Sequence, residues 1–431
     1  MRLFDTYTRE FQELPPPPGP IRVYVCGPTV YQRIHVGNAR PFVLSMWLKR
    51  WLEKTGYDVN LVENITDIND KIYTAAPGRS AELAAEAAQW YIDDTSALGL
   101  GRPDHEPKAT ESIAEIVALI GELVDRELAY PAGGDVYFRV ERFPEYGRLS
   151  GREGDDEALH NPSEEDDRAE LKEDPRDFAL WKAHKEGEDT SWDSPWGSGR
   201  PGWHIECSAM AEKFLGPAFE IHGGGIDLIF PHHENEIAQS RGAGREFARI
   251  WMHNGMLTLT GEKMSKSVGN IVSLKDAIDR WGKETLLLYF MTAQWRKPMD
   301  FDDEILEQAA AQADTFRNFF MRAEADSQQP DRDALARVLN DDLNTPEALA
   351  LFHEWRSGGD AASLRWGLGL FGLESLAEAA VAPDRLVELA EQRDDARKRR
   401  DFDEADRLRA EIEADGWEVR DVADGFQLVP K

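Results

Sequence analysis

The sequence predicts an α/β protein: a doubly wound parallel sheet with an inserted subdomain, then a helical bundle and a small mixed α/β C-terminal unit. Three observations predict it. A strand, a helix and a second strand follow one another over about forty residues after the Pro15–Pro18 run. An acidic stretch then interrupts the sheet-type sequence. Beyond residue 271 the apolar spacing becomes helical.

Ile21-Arg22-Val23-Tyr24-Val25-Cys26 alternates as a strand and turns at Gly27-Pro28-Thr29. A second turn, His35-Val36-Gly37-Asn38, leads into an apolar helix from Pro41 through Leu52 that Thr55-Gly56 stops, and Val59-Asn60-Leu61-Val62 is the next strand. Such short connections make the strands parallel and open a ligand crevice beyond their carboxyl ends. Residues 1–111 are thus the first half of the sheet domain. Residues 112–200 are an inserted connective subdomain, with a helix from Ile113 to Leu128, a strand at Val136-Tyr137-Phe138 and an acidic surface loop from Glu153 to Asp174. Residues 201–271 resume the sheet domain, and 272–310 join it to a helical bundle at 311–383. In that region Ile305, Ala309, Ala313, Phe316 and Phe320 form a core stripe, and Thr345-Pro346 supplies an N-cap with proline at the first helical position. The last unit, 384–431, reads as a charged helix, a strand at Trp417-Glu418-Val419, a turn at Asp424-Gly425 and a strand from Phe426 to Val429.

Across the 431 residues, 81 acidic side chains oppose 50 basic ones, a formal charge of −31. This excludes a generally basic coat, so any polyanionic partner must be met by local basic patches. With 41% hydrophobic and 30% charged residues the chain can bury real cores and is not of the disordered class. Cys26 and Cys207 are its only cysteines, which excludes a disulfide scaffold and favours a reducing, cytoplasmic setting. No window approaches the ~20 apolar residues of a membrane span, and no apolar run of signal-peptide length follows Met1.

Two motifs suggest nucleotide chemistry. His35-Val36-Gly37-Asn38 lies between a strand and a helix, where backbone N–H groups and the positive helix end favour phosphate. Gly37 would let a nucleoside approach the main chain, and His35 and Asn38 could donate hydrogen bonds to phosphoryl oxygens; the alternative is a turn whose histidine caps the helix. Downstream, Lys263-Met264-Ser265-Lys266-Ser267 sits on a glycine-bracketed loop whose two lysines can neutralise a departing pyrophosphate. A third group suits a metal: Cys26 at the end of a strand, Cys207 in a second segment, and His232 and Glu236 four apart at a helix start. Each has an ordinary alternative, as a small buried hydrophobe or a surface group. Jointly, two thiolates, an imidazole and a carboxylate suit one Zn²⁺ per chain.

The two nucleotide motifs resemble the paired signatures of class I aminoacyl-tRNA synthetases. Tyr24-Val25-Cys26-Gly27-Pro28-Thr29-Val30-Tyr31, Asn64-Ile65-Thr66-Asp67-Ile68-Asn69-Asp70-Lys71, Gly202-Trp203-His204-Ile205-Glu206-Cys207-Ser208-Ala209-Met210 and Phe230-Pro231-His232-His233-Glu234-Asn235-Glu236 resemble the cysteinyl-tRNA synthetase family in order and spacing, essentially end to end. Val36 stands where isoleucine is usual and Asn69 where aspartate is common. The resemblance implies a Rossmann-like catalytic domain and a two-step reaction. The carboxylate of L-cysteine attacks the α-phosphorus of ATP, assisted by Mg²⁺ and by His35, Asn38, Lys263 and Lys266, and the cysteinyl group then passes to the terminal ribose of tRNA(Cys). It implies that Gly37 belongs to the ATP site, that Thr66, Trp203 and Asp227 hold the cysteine, and that the substrate's sulfur joins the zinc, with Glu236 the ligand that loosens. Selection through sulfur would separate cysteine from serine without an editing domain. His204, His222, His233 and His253 crowd the same motifs and would tune thiol ionisation.

The resemblance further implies stem contacts at 272–310, tRNA binding at 311–383 and anticodon recognition at 384–431, in a monomer without membrane attachment. The best basic run, Arg393 to Arg400, with Arg407 and Arg409, would meet RNA; alternatively it is a solvated helix face paired to Asp394, Asp395, Asp401 and Asp403. Trp417 or Phe426 would offer a stacking surface for a base. Two rivals remain: a ligase joining activated cysteine to an amino sugar, which needs no anticodon unit, and an inactive RNA-binding paralogue, against which intact His35, Lys266 and the four metal ligands count.

Overall fold

The computed structural model describes residues 1–152, 159, 168–259, 262–263, 272–323, 329–378, 382–422 and 425–430. Most of the predicted acidic loop, as well as Lys266 and Asp424, lies outside these residues. The chain forms two compact units, one of residues 1–316 and 323–376 and a second of 317–322 and 377–431.

The first unit opens with a hairpin, β1 (Arg2–Asp5) and β2 (Glu10–Glu13). Strand β3 (Pro20–Val25), helix α1 (Val36–Lys54) and strand β4 (Asp58–Glu63) follow as the expected βαβ unit, with β3 and β4 parallel. Helix α1 starts earlier than the sequence suggested, so Gly37 and Asn38 lie in its first turn and Pro41 inside it. Pro41 has no N–H to give the carbonyl one turn back, but burial of Phe42, Val43, Trp47, Leu48 and Trp51 outweighs one lost hydrogen bond. Helices α2 (Asp70–Ala75) and α3 (Ser80–Ser96) come next.

Helix α4 (Ile113–Asp125) then leads to an antiparallel sheet of β5 (Ala129–Ala132), β6 (Asp135–Phe138), β7 (Phe178–Ala183) and β8 (Gly199–Pro201). Phe138, Phe178, Leu180 and Trp181 pack with Ile116 and Ile120 of α4 and with Ile205 and Ala209 of α5 (Trp203–Leu215). The parallel sheet resumes with β9 (Ala218–Gly225), helix α6 (Glu234–Gly242) and β10 (Phe247–Asn254), giving the order β10-β9-β3-β4. The chain passes outward from β3 to β4 and, in the other direction, from β9 to β10. Strands β3 and β9 therefore flank the place where the winding reverses.

Short strands β11 (Leu257–Leu259) and β12 (Glu262–Lys263) precede α7 (Leu274–Trp281), α8 (Lys283–Met291), β13 (Met299–Asp300) and α9 (Asp303–Phe320). The buried stripe of α9 is Leu306, Ala309, Ala313 and Phe316; Ile305 and Phe320 sit at its margins and are only half-buried. Helices α10 (Arg332–Leu339), α11 (Thr345–Gly358) and α12 (Ala361–Leu370) follow. The cap of α11 is Asn344 rather than Thr345, because the Asn344 side chain accepts from Glu347 N–H at 3.3 Å. Among the described residues no helix is long and apolar enough to cross a membrane.

The second unit contains α13 (Asp384–Lys398), α14 (Phe402–Ala414) and the hairpin β14 (Trp417–Val422) and β15 (Gly425–Pro430). Its core is Ala390, Ile412 and Val419, with Leu389, Trp417, Phe426 and Leu428 packed against it.

Candidate metal centre

Cys26 is the first residue beyond β3, and its N–H donates to Gly223 O of β9 at 3.1 Å, so the strand pairing itself carries the thiol to the crevice. Cys207 sits on the second turn of α5. His232 lies in a turn of π type, Ile229–His233, and Glu236 in the first turn of α6. All four are buried. Cys26 Sγ is 3.7 Å from Cys207 Sγ and 3.4 Å from Glu236 Oε1, and His232 Nε2 is 3.2 Å from that oxygen. Tetrahedral bonds of ~2.0–2.3 Å set zinc ligands ~3.3–3.8 Å apart, so the donor set fits such an ion.

A second group of possible ligands, Cys26, His222, His233 and Glu236, shares two members with the first. His222 Nε2 lies 2.9 Å from Glu236 Oε2, and His233 Nε2 3.3 Å from Cys26 Sγ. Behind them His233 Nδ1 is 2.7 Å from His253 Nε2, and His253 Nδ1 is 2.9 Å from Thr6 Oγ1. His204 Nδ1 is 2.9 Å from His232 Nδ1. Sequence placed these histidines near the centre, but nothing in their spacing revealed which of them reach the ligand atoms.

Burial governs the protonation of this cluster. It pushes the Cys26 thiol well up, aided by Cys207 and Glu236, and raises Cys207 as well. It pulls His232 and His233 well down, assisted by neighbouring histidines, and takes His253 to about 3. The imidazoles are therefore neutral, the form that ligates a metal, while the thiols need a cation to ionise.

Of the predicted cysteine-binding residues, Trp203 lies against this cluster and Thr66 is linked to it through Asn64. The Trp203 ring lies 4.4 Å from that of His232. Thr66 is buried, and its hydroxyl accepts from Asn64 Nδ2 at 3.1 Å. Asp227 is exposed in the turn after β9, its carboxylate folded so closely over Gly225 that a Cβ there would lie 2.5 Å from Oδ1. Among the predicted ATP residues, His35 is the N-cap of α1, whose first turn carries no acid, and Asn38 is exposed. A Cβ on Gly37 would lie 2.9 Å from the His35 ring, so a side chain there would have to displace the histidine. Val36 N–H donates to Val272 O at 3.0 Å and Leu274 N–H to Ile34 O at 2.9 Å, which ties this turn to the segment after the lysine motif. Lys263 ends β12, paired with Thr258.

In the second unit the basic run is largely committed. Arg393 is buried and donates to Asp421 at 2.8 Å, Arg397 pairs with the same carboxylate, and Lys398 pairs with Asp394 at 2.7 Å. Arg407 and Arg409 pair with Glu404 and Glu413 at 2.8 and 2.9 Å. Among the described residues no ion pair reaches Arg399 or Arg400, both exposed.

Residues 14–311 match the family of tRNA synthetases class I (C), catalytic domain. A "Cysteine--tRNA ligase" of Caldicellulosiruptor saccharolyticus is 41% identical, over 99% of this chain and 99% of its own. One of Jannaschia sp. (strain CCS1) is 43% identical, over 100% of this chain and 97% of its own. In fold, the chain is similar to a Mycobacterium tuberculosis methionyl-tRNA synthetase in complex with methionyl-adenylate, with a TM-score of 0.56 and 15% identity over 87% of this chain and 84% of that one.

Proposed function

Because the chain belongs to the cysteine–tRNA ligases of the class I tRNA synthetases, we propose that it activates L-cysteine with ATP and transfers the cysteinyl group to the 3′-terminal ribose of tRNA(Cys). One observation carries the specificity of this reading: both cysteines of the chain meet His232 and Glu236 in one buried cluster at the switch point of the sheet. Cys26, Cys207, His232 and Glu236 would hold one Zn²⁺, while His222 and His233, bonded to Glu236 and Cys26, orient the ligands. When bound, the ion supplies a soft Lewis-acid seat that takes the thiolate of cysteine and discriminates against the harder hydroxyl of serine.

The remaining roles belong to the chain's own groups. Trp203 walls the pocket, Thr66 gives a polar contact and Asp227 attracts the substrate's ammonium group. The carboxylate of cysteine is already ionised and needs no general base, so acceleration comes from alignment and from charge placed against the phosphates. His35, Gly37 and Asn38 at the start of α1, with Lys263 and Lys266, take the ATP, which brings its Mg²⁺. The assignment extends to stem contacts at 272–310, tRNA binding at 311–383 and anticodon recognition at 384–431, in a cytoplasmic monomer.

The decisive experiment measures pyrophosphate exchange and then acceptor choice. Exchange is expected to require cysteine, and Lys266→Ala should slow it on the order of 100-fold with little change in cysteine affinity. Unchanged exchange in that variant would contradict the lysine's role. Charging of an amino sugar in preference to tRNA would replace this reading with the rival ligase.

A further inference from the structure

We propose that Asn64 is a positioning residue that ties the metal ligands to Thr66, an inference that rests on the reading of the metal centre above. Asn64 follows β4 and is wholly buried. Its side-chain oxygen accepts from Gly27 N–H at 3.0 Å. That group can only donate, so the oxygen must face it and the amide nitrogen must face the other way. The nitrogen there donates to Thr66 Oγ1 at 3.1 Å. The oxygen also lies 3.7 Å from Cys207 Sγ, a packing contact once that sulfur is a thiolate with no proton to donate. One rigid amide thus touches the residue after the first ligand, the second ligand, and the hydroxyl assigned to the substrate.

The surrounding backbone makes this contact a fitted one. A Cβ on Gly27 would lie 1.8 Å from the Asn64 carbonyl oxygen, so the two strand ends meet with no side chain between them. Thr66 N–H donates to Pro28 O at 3.1 Å, and Val30 N–H to Thr66 O at 3.0 Å. The main chain of Thr66 is therefore held without Asn64, whereas its hydroxyl accepts from the amide and also faces the buried Glu206 carboxylate. Removing the amide should loosen the ligand loop and leave the hydroxyl only its Glu206 partner, while the strand ends stay joined. Groups of this kind behind metal ligands commonly set affinity by 10- to 100-fold.

Two measurements on the full-length holoenzyme test this: zinc release to a chromogenic chelator, and the KM for cysteine in pyrophosphate exchange. In Asn64→Ala, zinc should leave on the order of 10- to 100-fold faster than from the wild type, and the KM for cysteine should rise while that for ATP does not. Thr66→Val should raise the cysteine KM without speeding zinc release. An Asn64→Ala chain that melts like the wild type and keeps both its zinc and its cysteine KM overturns the proposal. Should Asn64→Ala fail to fold, the isosteric Asn64→Asp keeps the acceptor for Gly27 but loses the donor to Thr66, so a raised cysteine KM supports the proposal and an unchanged one overturns it. A wild-type chain that binds no zinc at all would instead remove the metal reading, and a metal assay on that chain alone separates the two failures.

Discussion

Glu63 in the sheet unit and Asp421 in the C-terminal unit are both carboxylates, and their surroundings drive them in opposite directions. Glu63 is buried, held by the Tyr91 hydroxyl, and burial pushes its acid up to about 7. Asp421 accepts from Arg393 and Arg397, and these bonds pull it down to about 2. The contrast extends to the neighbours of each. Around the crevice, thiols, imidazoles and the Glu236 carboxylate are buried with no arginine or lysine among the described residues paired to them, an arrangement that is costly until a cation or a ligand enters. In the C-terminal unit the basic residues are mostly spent on that unit's own acids.

The largest expected effect breaks the first half of that contrast. Cys207→Ser replaces a thiolate ligand with a hydroxyl and should cut zinc occupancy and cysteine-dependent pyrophosphate exchange together, by on the order of 100-fold or more. Elemental analysis of the purified variant checks it, and full zinc content would remove Cys207 from the ligand set.

A smaller effect sharpens the second half. If Arg399 and Arg400 are the part of the basic run left for RNA, Arg399→Glu with Arg400→Glu should weaken tRNA charging and reduce its salt dependence by about one unit of slope per arginine, as phosphate contacts do. Pyrophosphate exchange should be spared, and equal damage to both reactions would indicate misfolding instead. Arg393→Gln, by contrast, should act on stability, because it removes a buried guanidinium and its pair with Asp421, which keeps only Arg397.

Much of this was legible in the sequence, for reasons that differ by region. Strand β3 and helix α1 were readable because burial on one face or both imposes a period on the residues. Cys26, Cys207, His232 and Glu236 stood out because few other residue types bind a soft metal. Asn64 did not stand out, since its importance lies in two hydrogen bonds to residues 37 positions upstream and two downstream, and an asparagine after a strand is ordinary. Ion pairing of the basic run was legible only in part: Lys398 meets Asp394 and Asp395 on its own helix, as the spacing allowed. The partner of Arg393 and Arg397 is Asp421, on a hairpin that no helical spacing rule reaches. Trp417 and Phe426, suggested as base-stacking surfaces, are partly buried and pack against the small core of their unit.

The smallest effect is a pH signature that tests the opposition itself. A carboxyl raised from 4.5 to about 7 in the folded state binds more protons folded than unfolded between those values, so its contribution to stability falls as pH rises through that window, by about 3 kcal/mol in all. Glu63→Gln keeps an acceptor for Tyr91 and has no charge to bury. It should therefore melt a few degrees above the wild type at pH 8, with the gap narrowing steadily toward pH 5. Asp421 has the reverse sign. Its acid is depressed from 3.8 to about 2, so the stability it lends is present above 3.8 and is lost as pH falls toward 2; Asp421→Asn should make hydrogen exchange of the hairpin faster at pH 7 and leave it nearly unchanged near pH 2. A pH-independent gap for Glu63→Gln would mean that the buried carboxylate has found a counterion, and the opposition between Glu63 and Asp421 would no longer hold.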